Sequence, residues 1–187
     1  MSGAVVRSFV CIPLPEAVKR TVEKQTAVTC REYPGLKWVG KELYHITLKF
    51  CGEHPVSVLE KFRKKAEYFI SVNRPGTIRL RLGVPGAFPG LDRARTFFVG
   101  VEGETGKLEQ LASLVESAAS AAGMEKESRP FHPHVTLART RRPERLELPS
   151  FTMDKPVEWD AKTILWLKSE LRPWEAEYST LQEWPLL

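Results

Sequence analysis

The residues with the clearest capacity for chemistry occur in two copies of the pattern His-x-Thr-Leu. The first copy contains His45 and Thr47 and the second contains His134 and Thr136, so the copies use two of only four histidines. Both lie in strand-like sequence, where residues i and i+2 point to the same face. Each histidine is therefore expected to share a face with its threonine, while the intervening apolar residues face a core.

Two imidazoles in one cleft can act together as an acid and a base. Imidazole titrates near pH 6.5, so one ring can be neutral and the other protonated close to neutrality. Those two states suit in-line displacement at phosphorus, in which one ring deprotonates water and the other protonates the leaving oxygen. Each threonine hydroxyl can donate to a phosphate oxygen, an interaction worth about 1.5 to 3 kcal/mol. We therefore expect His45 and His134 to be catalytic and Thr47 and Thr136 to bind phosphate.

The rest of the sequence contains no other recognisable catalytic pattern. The histidines are not accompanied by a cluster of carboxylates, and the chain has no Walker-type glycine loop and no nucleophile elbow. No spacing typical of a metal site surrounds its cysteines. We expect catalysis without a metal or any other cofactor.

Composition narrows the class of protein. The 187 residues are 42% hydrophobic, which is sufficient for a packed core, and the net charge of +5 suits an anionic substrate. Cys11, Cys30 and Cys51 are odd in number and form no C-x-x-C pair, which is typical of reduced thiols in the cytoplasm. No apolar run approaches the roughly 18 residues that span a bilayer. We expect a soluble cytoplasmic protein that does not contact membranes.

Hydrophobic periodicity and breaker residues predict alternating strands and helices. Helices are predicted over 15–30 and 57–72, the latter opened by a capping box at Ser57 and Glu60, and a third apolar repeat over 108–118 ends before Gly123. A tight loop is predicted over 83–90, and a basic loop is predicted over 139–149. Strands are predicted over 5–12, 44–50, 77–82, 96–101, 134–138, 163–171 and 178–184, with an extended stretch at 37–39.

Each motif strand follows a strand and a helix, which suggests two related halves. In the strand over 44–50, strict alternation places Lys49 with His45 on one face and Phe50 with Ile46 on the other. No linker is long enough to separate independent domains, so residues 1–187 are expected to form one domain of two interlocked α+β lobes with antiparallel sheets. If approximate two-fold symmetry relates the lobes, the two histidines face each other across a cleft.

The chain resembles the 2H phosphoesterase superfamily, and within it the RNA 2′,3′-cyclic phosphodiesterase branch, also called 2′,5′ RNA ligase. The paired His-x-Thr motifs indicate the superfamily, and the sequence strings around them select the branch. Those strings occur in order over nearly the whole chain: Ile12-Pro13-Leu14-Pro15, Trp38-Val39, His45-Ile46-Thr47-Leu48-Lys49-Phe50, Gly86-Ala87-Phe88-Pro89, Arg129-Pro130-Phe131-His132-Pro133-His134-Val135-Thr136-Leu137-Ala138-Arg139, Ser169-Glu170-Leu171 and Trp184-Pro185-Leu186.

The resemblance implies a bilobal fold with two pseudo-symmetric antiparallel sheets, helices on the outside and both motifs in a central cleft. It implies that His45 is the proton donor, that His134 is the proton acceptor, and that Thr47 and Thr136 bind phosphate. The implied reaction opens a terminal RNA 2′,3′-cyclic phosphate to a 2′-phosphate, with the 3′ oxygen as leaving group. The same chemistry run backwards would join RNA ends through a 2′,5′ linkage without ATP.

Two other functions fit the motifs. One is a non-catalytic binder of RNA or nucleotides with the same fold, and the other is an esterase for a small cyclic phosphate. A turnover measurement separates these alternatives from the phosphodiesterase. Nothing in the sequence demands a dimer, and we expect a monomer.

Basic residues after the second motif are candidates for RNA contact. Arg139, Arg141, Arg142 and Arg145 form a run of a kind that is more often a solvated face. Arg139 is the best candidate by resemblance. Simple alternation places it on the buried face of its strand, so it reaches the cleft only if the strand ends or twists there.

Two aromatic residues flank the motifs. Phe131 and Trp38 could stack on a nucleobase, as aromatic side chains do in the recognition of single strands. Core packing is the alternative for both, and it is at least as strong an expectation for Trp38.

Overall fold

A computed structural model describes residues 4–147, 155–173 and 175–186. Within those residues it contains three helices, α1 (Glu16–Glu32), α2 (Val56–Asn73) and α3 (Thr105–Ala121). It contains nine strands: β1 (Val5–Pro13), β2 (Lys37–Trp38), β3 (His45–Pro55), β4 (Ile78–Phe88), β5 (Ala94–Gly103), β6 (His134–Glu144), β7 (Glu158–Ala161), β8 (Thr163–Leu171) and β9 (Ala176–Pro185). No helix in this part of the chain is long and apolar enough to cross a membrane.

The strands form one antiparallel sheet in the order β7-β4-β5-β6-β3-β1-β8-β9, and β2 pairs with β6. Four strands on each side make two halves, which meet where Ile46 of β3 pairs with Val135 of β6. In each half a motif strand follows a strand and a helix: β3 follows β1 and α1, with the short β2 in between, and β6 follows β5 and α3. The predicted α+β fold with two related antiparallel sheets is confirmed, and the structure adds that the two sheets are continuous.

The helices cover the face of the sheet that points away from the motif side chains. One core joins Val22 of α1, Phe62 of α2 and Leu111 of α3 to Ile46 and Val135 at the centre of the sheet, all with 0% exposure. Burial of each such side chain contributes about 1.5 to 3 kcal/mol to folding. Ile46 and Val135 each lie between a motif histidine and its threonine. Because their side chains point into this core, the histidine and threonine side chains point to the opposite face of the sheet.

A β-bulge follows the first motif and reverses the predicted alternation. Thr47 pairs with Cys11 of β1 and Lys49 pairs with the next residue, Val10, so Leu48 is the extra residue. Lys49 consequently turns to the core side and is 5% exposed, whereas the Phe50 side chain is 54% exposed. The predicted placement of Lys49 and Phe50 is wrong, because a bulge shifts side-chain alternation by one residue.

The second motif is followed by a bulge at the equivalent place. Thr136 pairs with Phe98 of β5 and Ala138 pairs with Phe97, which leaves Leu137 as the extra residue. Leu137 and Ala138 are both fully buried, and Arg139 is exposed. The bulge therefore returns Arg139 to the face of the motif, without the strand having to end there.

Strands β4 and β6 are longer than the sequence predicts. β4 continues to Phe88, which pairs with Thr96 of β5, so the predicted loop over 83–90 is wrong up to that residue. β6 continues to Glu144 in place of the predicted basic loop, of which residues 148 and 149 lie outside the described residues. Irregular pairing accounts for both differences, because it accommodates glycine and proline within strands.

The structure differs from the sequence prediction at two further places. Helix α2 begins at Val56 with Pro55 as its cap, so Ser57 and Glu60 do not form the predicted capping box. No side chain of the described residues caps the first turn of α2. Strand β7 was not predicted, and its four residues (Glu158–Ala161) pair with the beginning of β4.

Replacing Lys49 by methionine is expected to lower the free energy of unfolding by about 2 to 4 kcal/mol. The Lys49 ammonium donates to a carboxylate oxygen of Glu116 on α3, with 2.9 Å between Nζ and Oε2, and to the Glu125 carbonyl at 2.8 Å. Removing one partner of a buried ion pair costs about 3 to 5 kcal/mol, and the partial exposure of Glu116 reduces that cost. Urea unfolding of the wild type and K49M measures the difference.

The double variant K49M with Glu116→Gln serves as the control for that measurement. If the two groups interact as described, the double variant loses less stability than the sum of the single variants. Additive losses, or an unchanged unfolding midpoint in K49M, would contradict a stabilising ion pair between β3 and α3.

Candidate active site

His45 is the first residue of β3, and the backbone just before it orients its ring. The Nδ1 atom lies 2.7 Å from the Leu43 carbonyl oxygen, so Nδ1 carries a proton and donates it to that acceptor. The other ring nitrogen, Nε2, lies 3.1 Å from the Thr47 hydroxyl. Nε2 is therefore the ring atom available for proton transfer, and it touches the threonine of its own motif.

His134, the first residue of β6, is held in the same way. Its Nδ1 atom lies 2.7 Å from the His132 carbonyl oxygen and donates to it, which leaves Nε2 as the reactive nitrogen. In both halves the acceptor is the carbonyl two residues before the histidine. This shared arrangement fixes the tautomer and direction of both imidazoles before any substrate is bound.

The pairing of β3 with β6 brings the two motifs together. Because Ile46 pairs with Val135 in an antiparallel arrangement, the neighbouring positions place His45 opposite Thr136 and Thr47 opposite His134. Side chains opposite each other in such a pair lie about 5 Å apart on one face. Ile46 with Val135 is the only register pair between β3 and β6 among the described residues, so the two halves of the sheet meet within the two motifs.

Aromatic residues enclose the ring of His45. Phe9 of β1 lies with its ring centre 4.8 Å from that of His45, and Tyr178 of β9 meets the imidazole edge-on at 5.7 Å. Burial lowers the pKa of His45 to about 4, and the positive charges of His134, Arg139 and Lys19 act in the same direction. In this structure His45 is therefore neutral at pH 7.

A second group of aromatic residues surrounds His134. Phe88 and Phe98 stack on each other at 4.3 Å and meet the imidazole with their ring centres 5.0 and 5.3 Å away. Phe98 can lie flat on β4 because residue 86 is glycine: a Cβ there would lie 2.6 Å from the phenyl ring. Burial lowers the pKa of His134 below 6.5, and the neighbouring charges of His132 and Arg139 contribute.

The structure brings Arg139 to the histidines. Its Nη1 donates to the Thr96 hydroxyl over 3.2 Å, and its charge contributes to the lowered pKa of both His45 and His134. A guanidinium in this position can donate to a phosphate oxygen in the cleft. Simple alternation would have kept it away from the cleft, and the β-bulge before it is the reason that it is present.

Trp38 and Phe131 lie elsewhere. Trp38 packs edge-on against the buried Phe97 with ring centres 6.0 Å apart, and its indole N–H donates to the Tyr33 carbonyl at 3.1 Å. Phe131 is partly buried against the same core cluster. Both aromatic rings therefore contribute to the helix side of the sheet, and the packing alternative describes them better than base stacking.

The aromatic residues nearest the histidines were not identified as site residues from the sequence. Phe9, Phe98 and Tyr178 have no motif of their own, and their positions depend on strand pairing. Phe88 was visible only as part of the Gly86-Ala87-Phe88-Pro89 string. The available signal was alternation along β1, since Phe9 and Cys11 share a face and Cys11 pairs with Thr47.

The described residues contain no group of three or more His, Cys, Asp or Glu side chains placed to hold a metal ion. On the motif face of the sheet, the described residues place the Nε2 atoms of two histidines, the hydroxyls of two threonines and the guanidinium of Arg139. These groups can transfer protons at two points and donate hydrogen bonds to an anion between them.

Sequence comparison identifies relatives over most of the chain. The chain is 31% identical over 191 aligned positions to an RNA 2′,3′-cyclic phosphodiesterase of Thermus thermophilus, covering 97% of this chain and 90% of the relative. It is 38% identical over 106 residues to a protein of the same name from Aeropyrum pernix, where the match spans 57% of this chain and 58% of that relative.

Comparison with solved structures gives the same fold. The crystal structure of E. coli LigT in apo form superimposes with a TM-score of 0.81 over 97% of both chains, at 23% sequence identity. A family model described as the 2'-5' RNA ligase superfamily matches residues 14–176, which include both His-x-Thr motifs. With the family model spanning most of the chain and the fold agreeing along its length, this protein belongs to the 2'-5' RNA ligase superfamily.

Proposed function

We propose that this protein hydrolyses the 2′,3′-cyclic phosphate at the end of an RNA strand to a 2′-phosphate, without a metal ion. The observation that carries the proposal is the pairing of Ile46 with Val135, which brings two equally oriented histidines and two threonines to one opening. The names of the Thermus and Aeropyrum relatives support the choice of substrate.

The two histidines divide the proton transfers. His134 accepts a proton at Nε2 from the attacking water, whose oxygen forms the new bond to phosphorus. The bond from phosphorus to the 3′ oxygen breaks, and His45 donates its Nε2 proton to that oxygen. One proton is taken up and one is released, so the pair ends with its total protonation unchanged.

The threonines and Arg139 hold the phosphate during this displacement. When His45 is protonated, its Nε2–H can donate to the Thr47 oxygen, and the Thr47 hydroxyl hydrogen is then free for a phosphate oxygen. Thr136 is positioned opposite His45 by the strand register. Arg139 supplies a fixed positive charge next to both histidines, where negative charge develops on the phosphate oxygens.

The decisive experiment measures turnover in the presence of EDTA. The wild-type protein is incubated with an oligoribonucleotide ending in a 2′,3′-cyclic phosphate and, separately, with a small cyclic phosphate that is not a nucleotide. Formation of a 2′-phosphate on the oligoribonucleotide is the expected result. Turnover of the small substrate alone would identify the esterase alternative, and hydrolysis of neither, with retained RNA binding, would identify a binder.

Replacing either threonine by valine is expected to lower kcat/KM by about 10-fold to 100-fold. Valine keeps the branched shape that suits a strand but removes one hydroxyl donor to a charged phosphate oxygen. Steady-state kinetics of T47V and T136V on the cyclic-phosphate oligonucleotide measure the loss. Thr163→Val removes a threonine hydroxyl from β8, outside the motifs, and is the control for loss of a strand hydroxyl. Unchanged kinetics in both motif variants would make Thr47 and Thr136 strand formers only.

The pH profile of kcat/KM is expected to lie on the acid side of neutrality. The free enzyme must hold one proton on the histidine pair, so both limbs of the bell follow the two pKa values of that pair. Burial lowers the pKa of His45 to about 4 and lowers the pKa of His134 below 6.5. The rate should therefore fall as the pH rises through the upper value, which lies below 6.5.

The profile of kcat provides the internal comparison for that prediction. A bound phosphate anion favours the protonated form of His45, so the alkaline limb of kcat should lie at higher pH than that of kcat/KM. A kcat/KM plateau extending above pH 7 would show that the imidazoles are not depressed in the free enzyme.

We further propose that the protein works as a single-domain monomer in the cytoplasm. Both motifs come from one chain and one continuous sheet, so the site needs no residue from a second copy. Cys11, Cys30 and Cys51 are all free thiols, and burial raises the pKa of Cys11 and Cys51 to about 12. Joining RNA ends through a 2′,5′ linkage would follow the same displacement with the 5′-hydroxyl of a second RNA in place of water: His134 would accept the hydroxyl proton, and the 3′ oxygen would again leave with the proton from His45.

A further inference from the structure

The positive charge of this chain is concentrated in a short part of the sheet. Residues 91–95 and 139–145 contain six arginines and two carboxylates, which accounts for four of the five net positive charges of the whole chain. The arginines are Arg93, Arg95, Arg139, Arg141, Arg142 and Arg145. We call these two segments the arginine ribbon. The remainder of the chain is nearly neutral, so the charge excess is a local feature of the ribbon.

The ribbon is an ordered part of the fold. Ala94 at the beginning of β5 is fully buried and pairs with Glu144 at the end of β6. The Thr140 hydroxyl donates to the Ala94 carbonyl at 3.0 Å, and the backbone N–H of the buried Leu146 donates to the Leu91 carbonyl at 2.8 Å. Because these contacts hold both segments, the guanidinium groups project from a fixed backbone.

Most of the ribbon's charge is available to a partner. Arg93, Arg95, Arg141 and Arg142 are exposed and make no ion pair with any residue that the structure describes. Arg145 approaches Asp92 only at 3.9 Å, with both side chains more than 80% exposed, and a pair of this kind contributes little. A cluster of unneutralised arginines on a rigid support binds phosphate groups well, since each guanidinium can donate two parallel hydrogen bonds.

The ribbon begins inside the cleft. Arg139 belongs both to the ribbon and to the surroundings of the histidines, and β6 runs without interruption from His134 through the ribbon to Glu144. A cyclic phosphate is the 3′ end of its RNA, so every other nucleotide lies on the 5′ side and must leave the cleft. The ribbon offers that strand a continuous basic path along β6.

We propose that the arginine ribbon binds the phosphodiester backbone of the single-stranded RNA that precedes the cyclic phosphate, so that the enzyme prefers oligonucleotide ends to single nucleotides. This inference rests on the proposed cyclic phosphodiesterase activity. The contacts are to phosphates, so binding is independent of base sequence and weakens as salt concentration increases.

The test compares two substrates and two double variants. The substrates are a nucleoside 2′,3′-cyclic monophosphate and an oligoribonucleotide of about eight nucleotides ending in the same nucleotide. R141Q with R142Q removes two charges from the ribbon. K64Q with K65Q removes two adjacent charges from the exposed surface of α2, on the helix side of the sheet, and is the matched control.

The ribbon variant is expected to lose about 10-fold in kcat/KM on the oligoribonucleotide and to keep wild-type kcat/KM on the mononucleotide. The slope of log kcat/KM against log salt concentration should become less steep by about 1.4, which corresponds to about 0.7 for each lost phosphate contact. The α2 variant should match the wild type on both substrates. Equal loss in the two double variants, or an equal loss on both substrates, would overturn the proposal.

A binding measurement separates this inference from the proposed function. If the wild type hydrolyses neither substrate, the cyclic phosphodiesterase proposal fails, and the dissociation constant for the same oligoribonucleotide decides the role of the ribbon. A 10-fold weaker affinity of the ribbon variant, with no change in the α2 variant, would support RNA binding by the ribbon. Equal affinities of all three proteins would refute it.

Discussion

Replacing His45 by alanine is expected to lower kcat/KM on a terminal RNA cyclic phosphate by about 10² to 10⁴-fold, the usual contribution of a general acid. The 3′ oxygen of ribose is a poor leaving group and needs a proton as its bond to phosphorus breaks. A p-nitrophenyl phosphodiester has a leaving group that needs no proton. The variant H45A should therefore retain much of the wild-type rate on that substrate.

His54 provides a matched control on the same strand. It pairs with Val6 of β1 near the other end of β3, so H54A removes the same chemical group at a distance from the motifs. We expect H54A to act on both substrates like the wild type. An H45A variant that is equally impaired on the activated substrate would refute the role of His45 as proton donor.

Replacing His134 by alanine is expected to abolish most activity on both substrates. The attacking water must lose its proton whichever leaving group is present, so an activated leaving group does not compensate for the missing base. The expected loss is again about 10² to 10⁴-fold on each substrate. Steady-state kinetics of H134A beside H45A, with circular dichroism to confirm folding, measure this difference.

The pattern across the two variants decides the assignment. The two imidazoles have the same backbone acceptor geometry, so orientation alone does not distinguish acid from base. Rescue of H134A by the activated substrate, with H45A inactive on it, would exchange the two roles. An equal loss of activity in H45A and H134A on the activated substrate would refute the assignment of an acid and a base. The protein would still be a phosphodiesterase, but its histidines would act in another way.

The pKa values raise a specific requirement for the proposed donor. Burial among Phe9 and Tyr178 lowers the pKa of His45 and favours its neutral form, and yet His45 must carry a proton to act as the acid. The negative charge of a bound substrate meets this requirement by favouring the imidazolium form. Substrate binding and protonation of His45 are thereby coupled, so that the acid is formed mainly when a phosphate is present.

Much of the site could be predicted from the sequence because it is encoded in short-range patterns. A histidine two residues before a threonine in a strand shares its face whatever the fold, and the motif and neighbouring strings were sufficient to indicate the superfamily. The positions of the three helices and the hairpin of β8 with β9 likewise follow from local periodicity and breakers, and the structure confirms them. These features depend on residues close together in the chain.

Only the tertiary structure decided which strands are neighbours and where their alternation changes. The pairing of Ile46 with Val135 joins segments from opposite halves of the chain, and the bulges at Leu48 and Leu137 exist because β1 and β5 impose their register. Those bulges bury Lys49 and bring Arg139 into the cleft, reversing what alternation predicts. The lowered pKa of His45 depends in the same way on Phe9 and Tyr178, which reach it from other strands. The residue types of the motifs can be seen in a short stretch of sequence. Strand register, burial and the pKa of the histidines depend on contacts between segments that are distant in the chain.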